Sequence, residues 1–286
     1  MKNILIIGAG WLGFPLAQTL TALGHTVFIT RRSPEALESL TFSPSRKCTL
    51  DLNSLDARQQ LTHYLNTRKF DVVIGCFPPG FRKGQGDDYT QHWQLIVDAL
   101  SSAPATKVIM ISSTTVYPNR AEKMVEDAAS LATAQNNHQF SDKARIMLQA
   151  ENTLVQSGHP FTILRLSGLI GPQRHPARFV AHLKQVSRLA PANMLHQHDA
   201  VNAAVFAVTH PDADNQILNV TTPRTVDKAA FYQSALEAAG MPVMLPEIVD
   251  VADKEISAEK LLSLGFEFHY QSTLDALSLP IEATKG

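Results

Sequence analysis

Ile4-Leu5-Ile6-Ile7-Gly8-Ala9-Gly10-Trp11-Leu12-Gly13 decides how the chain is read. Four consecutive apolar residues make a short buried strand, and three glycines follow in the spacing G-x-G-x-x-G. Each glycine answers a physical need of a turn that binds a dinucleotide. Gly8 allows the tight bend off the strand, and Gly10 lets the backbone approach a pyrophosphate with no Cβ in the way. Gly13 lets the next helix pack close to the sheet. That helix is signalled by Leu12, Leu16, Leu20 and Leu23 at helical spacing, and its first amides point the positive end of the helix dipole at the phosphates. Trp11 and Leu12 complete the turn residues expected against the cofactor.

The rest of the chain is that of an ordinary globular protein. Of 286 residues 44% are apolar and 18% charged, enough for a large core or for a core domain with an appendage. A net charge of −1 argues against bulk electrostatic binding to nucleic acid or to a membrane surface. Cys48 and Cys76 are far apart and lack metal-ligand spacing, so they read as small buried hydrophobes of a reducing compartment. The uncharged run between Lys2 and Arg31 imitates a signal peptide, but Gly8, Gly10, Gly13, Pro15, Gln18 and Thr19 break it. A cytoplasmic location is expected.

Short apolar runs alternate with helical patterns through the first half, which predicts a parallel sheet covered on both faces. Strands are expected at 26–30, 48–51, 71–76, 107–111 and 161–166. Helices are expected from Pro34 (with Ser33 as N-cap) and over 54–66, 89–100 and 141–156. Residues 78–86, with two prolines and three glycines, read as a loop, and 122–137 reads as an exposed polar loop. Beyond Pro172 the alternation stops: 178–189, 200–209 and 227–239 look helical and 216–220 looks like a strand. The expected division is a dinucleotide-binding domain over 1–172, with part of the later chain returning to its sheet, and a smaller substrate-covering lobe over 173–286.

The end of the second strand selects the cofactor. A carboxylate there holds the ribose 2′-hydroxyl of NAD, whereas arginine accommodates a 2′-phosphate. Thr30, Arg31 and Arg32 occupy this place and no acidic side chain appears until Glu35, so NADP(H) is expected over NAD(H). Asp51, at the end of the third strand, reads either as an adenine contact, with Leu52 beside it, or as a helix cap. His196 and Asp199 make no metal site on their own, and no metal is expected. Asp199 reads as an N-cap-type residue and His196 as a packing residue.

With these segments in place the chain resembles the extended short-chain dehydrogenase/reductase family, of the NAD-dependent epimerase/dehydratase type, over nearly its whole length. Val108-Ile109-Met110-Ile111-Ser112-Ser113-Thr114-Thr115-Val116-Tyr117 looks like the family's SSxxVY segment. Leu164 to Pro172 looks like its LRxxxxYGP segment, His196 to Ala200 like its HvdDla motif, and Leu218-Asn219-Val220 like its late strand. The resemblance implies an α/β fold: a doubly wound Rossmann sheet of about seven parallel strands with a small C-terminal α/β substrate lobe. It also implies that Ser112, Cys76, Phe77, Pro78, Leu166 and Ser167 line the cofactor, and that Ser113 is the hydroxyl that meets the reacting carbonyl.

One element of the family is missing. Its Y-x-x-x-K pair, acid/base and ribose ligand, would fall in Ser141-Asp142-Lys143-Ala144-Arg145-Ile146-Met147-Leu148-Gln149-Ala150-Glu151. With Glu151 setting the register, Met147 stands for the lysine and Lys143 for the tyrosine. The acid/base candidates are then a desolvated Lys143, or Tyr117, which closes the same segment as Ser113. The resemblance implies hydride transfer on a carbonyl, alcohol or nucleotide-sugar-like substrate; the alternative is an NADP(H)-binding sensor without turnover. Residues 78–85, 122–139 and 171–178 are expected around the substrate, where Arg174 and Arg178 could meet an anionic group. A homodimer through the helices over 89–100 and 141–156 is the expected assembly.

Overall fold

The computed structural model describes residues 1–81, 84, 86–101 and 106–277. Residues 82, 83 and 85 of the expected substrate loop lie outside the described residues. The elements in chain order are β1 (Asn3–Ile7), α1 (Gly13–Ala22), β2 (Thr26–Arg31), α2 (Pro34–Glu38), β3 (Lys47–Thr49), α3 (Ala57–Arg68) and β4 (Val72–Gly75). Then come α4 (Gly86–Leu100), β5 (Lys107–Ser113), β6 (Lys123–Met124), α5 (Leu131–Ala134), α6 (Asp142–Val155) and β7 (Phe161–Leu166). The last part holds β8 (Gly168–Ile170), β9 (Gln185–Ser187), β10 (Met194–His196), α7 (Gln197–Thr209), β11 (Gln216–Val220), α8 (Lys228–Ala238), β12 (Glu247–Val249), β13 (Glu255–Ile256) and α9 (Glu259–Ser263).

Seven strands form one sheet in the order β11-β7-β5-β4-β1-β2-β3, with every pairing parallel. This is the doubly wound α/β arrangement expected from the sequence. The chain runs outward from β1 to β3 on one side and from β4 to β11 on the other, so order reverses between β1 and β4. Ligands of such sheets bind beyond the carboxyl ends of the strands, at that reversal.

Alternation along the strands separates two cores. Ile4, Ile6, Val27, Ile29, Ile74 and Leu164 face α1 and α7, while Leu5, Ile7, Val73, Val108, Met110 and Ile163 face α3, α4 and α6. Helix starts follow the expected capping chemistry: Ser33, Ser141 and Asp227 accept from Ala36 N, Ala144 N and Ala230 N. A third core, with Ile170, Val180, Phe231 and Leu236 at its centre, belongs to the lobe. The lobe does not take all of 173–286, because α7 and β11 return to the central sheet and its core.

Two readings are corrected. Residues 178–189 form no α-helix: a 3-10 stretch over Pro176–His182 leads into β9, which pairs with β12. Residues 122–137 are not a wholly exposed loop. They hold β6, paired with β13, then a 3-10 turn and α5, and they bury Met124, Glu126, Ala129 and Ala134. The buried residues, Glu126 among them, follow neither the helix nor the strand period, so the polar residues between them hide the pattern.

Candidate active site at the carboxyl edge of the sheet

The glycine turn lies at the β1/β4 reversal. Gly8 has φ +98°, and a Cβ there would stand 2.7 Å from Cys76 O. A Cβ on Gly13 would stand 2.4 Å from Gly8 O, so the turn closes only without side chains at both places. Gly10 differs. The nearest atom to a Cβ there is Arg31 Nη1 at 3.7 Å, so this glycine keeps an approach open and not a contact closed. Thr30 holds the turn from β2: Gly8 N donates to its Oγ1 at 3.2 Å and Ala9 N to its carbonyl at 2.9 Å. Leu12 is buried in the core beneath α1.

The two arginines have separate places. Arg31 Nη1 donates to Ala9 O at 2.7 Å and so braces the turn. Arg32 is 62% exposed, with Nε 3.6 Å from Asp51 Oδ1. Asp51 does not cap the next helix, whose N-cap is Asp56. It accepts instead from Asn53 N and Nδ2, at 3.1 and 3.3 Å, and Asn53 Oδ1 meets His92 Nε2 at 2.9 Å. Leu52 packs partly buried against the core. These groups line one end of the edge.

After β4, Cys76 is half-buried and burial pushes its thiol up to about 12, while Phe77 stacks on Trp93 at 5.3 Å between centroids. Pro78 continues the loop, and a step further Phe81 lies under the Lys143 ammonium, 5.8 Å from the ring centre. At the end of β7, Leu166 joins the core. Ser167 Oγ is buried there with no hydrogen-bond partner among the described residues.

Ser113 ends β5 and caps the 3-10 turn over Thr114–Val116. Its Oγ accepts from Thr115 N at 3.2 Å and lies 3.0 Å from Thr115 Oγ1. Ser113 is half-buried and Thr115 exposed, so this hydroxyl pair faces the open edge. Thr115 was not singled out in the sequence, although its place two residues after Ser113 in a tight turn was a readable signal.

Three expected side-chain roles change. Tyr117 is fully buried, its Oη donating to Asn219 Oδ1 at 2.6 Å and accepting from Arg165 Nη1 at 3.1 Å. Burial pushes this phenol up to about 12, with Arg165 pulling the other way, which removes it as an acid/base near neutral pH. Lys143 stands in the first turn of α6 and is exposed, so it is not desolvated as expected. Ser112 turns its Oγ away from the edge and donates to Glu151 Oε1 at 2.6 Å, leaving only its backbone for a cofactor. Met147, read in the sequence as standing where the family has its lysine, is buried in the core.

Beneath the site lies a buried polar network. Ser112, Arg165 and Asn219 are register partners across β5, β7 and β11, on the face covered by α6. Arg165 donates to both Glu151 oxygens, to Tyr117 Oη and to the carbonyls of Glu126 and Ala129. Burial opposes its charge, but the Glu151 carboxylate outweighs that and holds the guanidinium ionised. Glu126 Oε1 accepts from Asn219 N at 2.8 Å. Ser112 precedes the Ser113 turn and Tyr117 ends it, so one ion pair ties both ends of the segment that presents Ser113.

At the start of α7, His196 Nδ1 accepts from His198 N and so caps the helix, the role first read for Asp199. Asp199 accepts instead from His269 N and Tyr270 N, at 2.8 and 3.1 Å.

A doubly wound parallel sheet with a G-x-G-x-x-G turn at its reversal defines the class of nucleotide-binding α/β proteins. Within that class the chain belongs to the NAD dependent epimerase/dehydratase family, whose model matches residues 4–221. It is 28% identical to Protein YeeZ of Escherichia coli (strain K12) over 297 residues, covering 99% of this chain and 100% of that protein. Human epimerase family protein SDR39U1 (isoform 2), solved with NADPH, is 17% identical, with a TM-score of 0.74 over 96% of this chain and 98% of that one. The Bordetella bronchiseptica enzyme WbmH, in complex with NAD+, is 16% identical, with a TM-score of 0.73 over 97% of this chain and 96% of that one. At such identities the likeness to the two solved structures is one of fold.

Proposed function

We propose that this chain is an NADP(H)-dependent oxidoreductase or epimerase that acts on a carbonyl, alcohol or nucleotide-sugar-like small molecule. The observation that carries the reading is the contrast within the glycine turn, where Gly8 and Gly13 close on backbone while Gly10 keeps an approach open. The Ser167 Oγ, buried at the end of β7 with no partner among the described residues, fits a polar group arriving at the same edge. The Gly10–Leu12 backbone would hold the pyrophosphate, Arg32 the 2′-phosphate, and the segments after β4 and β7 the nicotinamide half. NADP(H), when bound, supplies a hydride donor or acceptor.

The chain's own residues handle orientation and protons. The Ser113 hydroxyl, which accepts from Thr115 N, is set to donate to a substrate oxygen. Lys143, exposed on the first turn of α6 above Phe81, is the remaining candidate for the proton that this oxygen takes up. Both SDR39U1 with NADPH and WbmH with NAD+ support a nicotinamide dinucleotide, and the exposed Arg32 favours the phosphorylated one. The reading includes a homodimer through α4 and α6, which pack side by side and carry the half-buried Leu95, Val97 and Ile146. Light scattering tests that part.

Titration with NADPH and NADH, followed by NADPH oxidation with a panel of carbonyl compounds and nucleotide sugars, tests the rest. NADPH is expected to bind more tightly, and Arg32→Ala to remove that preference while leaving NADH affinity in place. Arg31→Ala is expected to weaken both, because Arg31 braces the shared turn. Tighter binding of NADH would overturn the cofactor preference. Binding with no turnover across the panel would overturn the enzymatic half of the reading.

A further inference from the structure

Arg174 is far from the glycine motif in sequence but lies against it in space. Its guanidinium sits over the Trp11 ring, 4.1 Å from the centroid. The turn that carries it is held firmly: Arg174 N donates to Gly171 O at 2.9 Å, and Gln173 adopts φ +63°, which favours glycine. Trp11 joins this turn in its own right, through Nε1 to Pro172 O at 2.8 Å. From the other side Gln197, the first residue of α7, donates Nε2 to Trp11 O. Gly171 packs so close that a Cβ would stand 3.3 Å from Trp11 Cζ2.

Four contacts thus gather the 171–174 turn and the start of α7 around Trp11, and one of them, from Arg174, places a cation there. Apolar packing would serve to hold two segments together and would not call for a charge. Stacking on an indole engages the face of a guanidinium, while its N–H donors lie in plane at the edge, where they match paired phosphate oxygens. The backbone beside Trp11 is the stretch whose amides face a pyrophosphate in such turns.

We propose that Arg174 belongs to the dinucleotide site: with Trp11 as its platform, it closes on the pyrophosphate from the lobe side, opposite the glycine-turn amides. The inference rests on the dinucleotide reading above. It makes pyrophosphate the group that links the lobe to the sheet, whichever nicotinamide dinucleotide is bound.

Calorimetric titration of the full chain with NADPH, NADH, ADP-ribose and AMP separates the possibilities, since the first three share a pyrophosphate and AMP has none. Arg174→Gln is expected to weaken the first three equally, by about tenfold, the size of one charge-assisted hydrogen bond, and to leave AMP unchanged. Arg174→Lys should fall between. Arg174 is exposed, so an unchanged melting temperature is the expected folding control. Wild-type affinity of Arg174→Gln for NADPH and ADP-ribose, or a loss confined to NADPH, would overturn the assignment. Failure of the wild type to bind any of the four would instead overturn the dinucleotide reading on which it rests.

Discussion

Glu151 and Arg165 form a bidentate ion pair inside the protein, Nη2 to Oε2 at 2.7 Å and Nε 3.2 Å from both carboxylate oxygens, with both side chains almost wholly out of solvent. A buried pair of this kind adds little net stability over apolar residues of equal size, but loss of one partner leaves a bare charge. Arg165→Met is therefore expected to destabilise by about 3–5 kcal/mol, and the double change with Glu151→Leu to recover part of that loss. Urea unfolding of the single and double variants checks this. Equal stability of Arg165→Met and wild type would show that the pair is not buried as described.

Tyr117 hangs from the same pair, and its role follows from where its hydroxyl is used. Tyr117→Phe removes the donor to Asn219 Oδ1 and an acceptor for Arg165 Nη1, at an expected cost of about 1–3 kcal/mol. Turnover on any substrate found should survive at the wild-type pH optimum, whereas Ser113→Ala should lower kcat with dinucleotide affinity unchanged. A loss of kcat in Tyr117→Phe as large as that in Ser113→Ala would return the phenol to the chemistry.

These side chains show where the sequence was legible and where it was not. The first strand, the glycine turn and the parallel sheet were readable because apolar runs, glycines and helical spacing are local signals. Arg165 in the middle of the apolar run 161–166 was also a signal, since a charge in a strand covered on both faces needs a partner. Glu151, on the buried face of α6, was that partner. Its identity depended on how α6 lies over β7, which spacing along one segment does not fix. The same holds for Tyr117 and Ser112, whose residue types suit a site and whose side chains turn toward the core. The 122–137 segment was missed because its buried residues follow no helix or strand period. Trp11 and Arg174 meet only because the turn that follows β7 and β8 comes back against the first turn.

His196 gives the fold a pH dependence on the acid side. Its imidazole is lowered to about 4, chiefly by burial and further by His198 and His269. The folded state therefore binds the proton less readily than the unfolded chain, whose histidine titrates near its ordinary value of 6.5. The stability linked to this group is complete above about pH 6.5 and is lost progressively as pH falls toward 4. Asp199, raised by burial, acts in the opposite sense at the acid end, because its protonation is easier in the folded state. His196→Asn keeps an N-cap acceptor for α7 and removes the titration. Melting temperature against pH should be flatter for this variant between pH 6.5 and 4, and parallel curves would assign the acid loss to other groups.

Gly10 and Gly13 differ in what a methyl group would meet, and this separates folding from binding within one motif. Gly13→Ala forces a Cβ to 2.4 Å from the Gly8 carbonyl, so the turn or α1 must shift. Overpacking of this kind typically costs about 1–3 kcal/mol. Gly10→Ala meets nothing nearer than the end of the flexible Arg31 side chain at 3.7 Å, and Gly10 has no positive φ that would strain alanine. Its stability should stay within about 0.5 kcal/mol of wild type, the range of substitutions that disturb no packing. Dinucleotide affinity should nevertheless fall sharply, because the added methyl stands where the pyrophosphate approaches the backbone. Thermal unfolding and NADPH titration on the two variants read the two effects separately. A Gly10→Ala protein that is stable and binds NADPH as tightly as wild type would place the pyrophosphate elsewhere than on this turn.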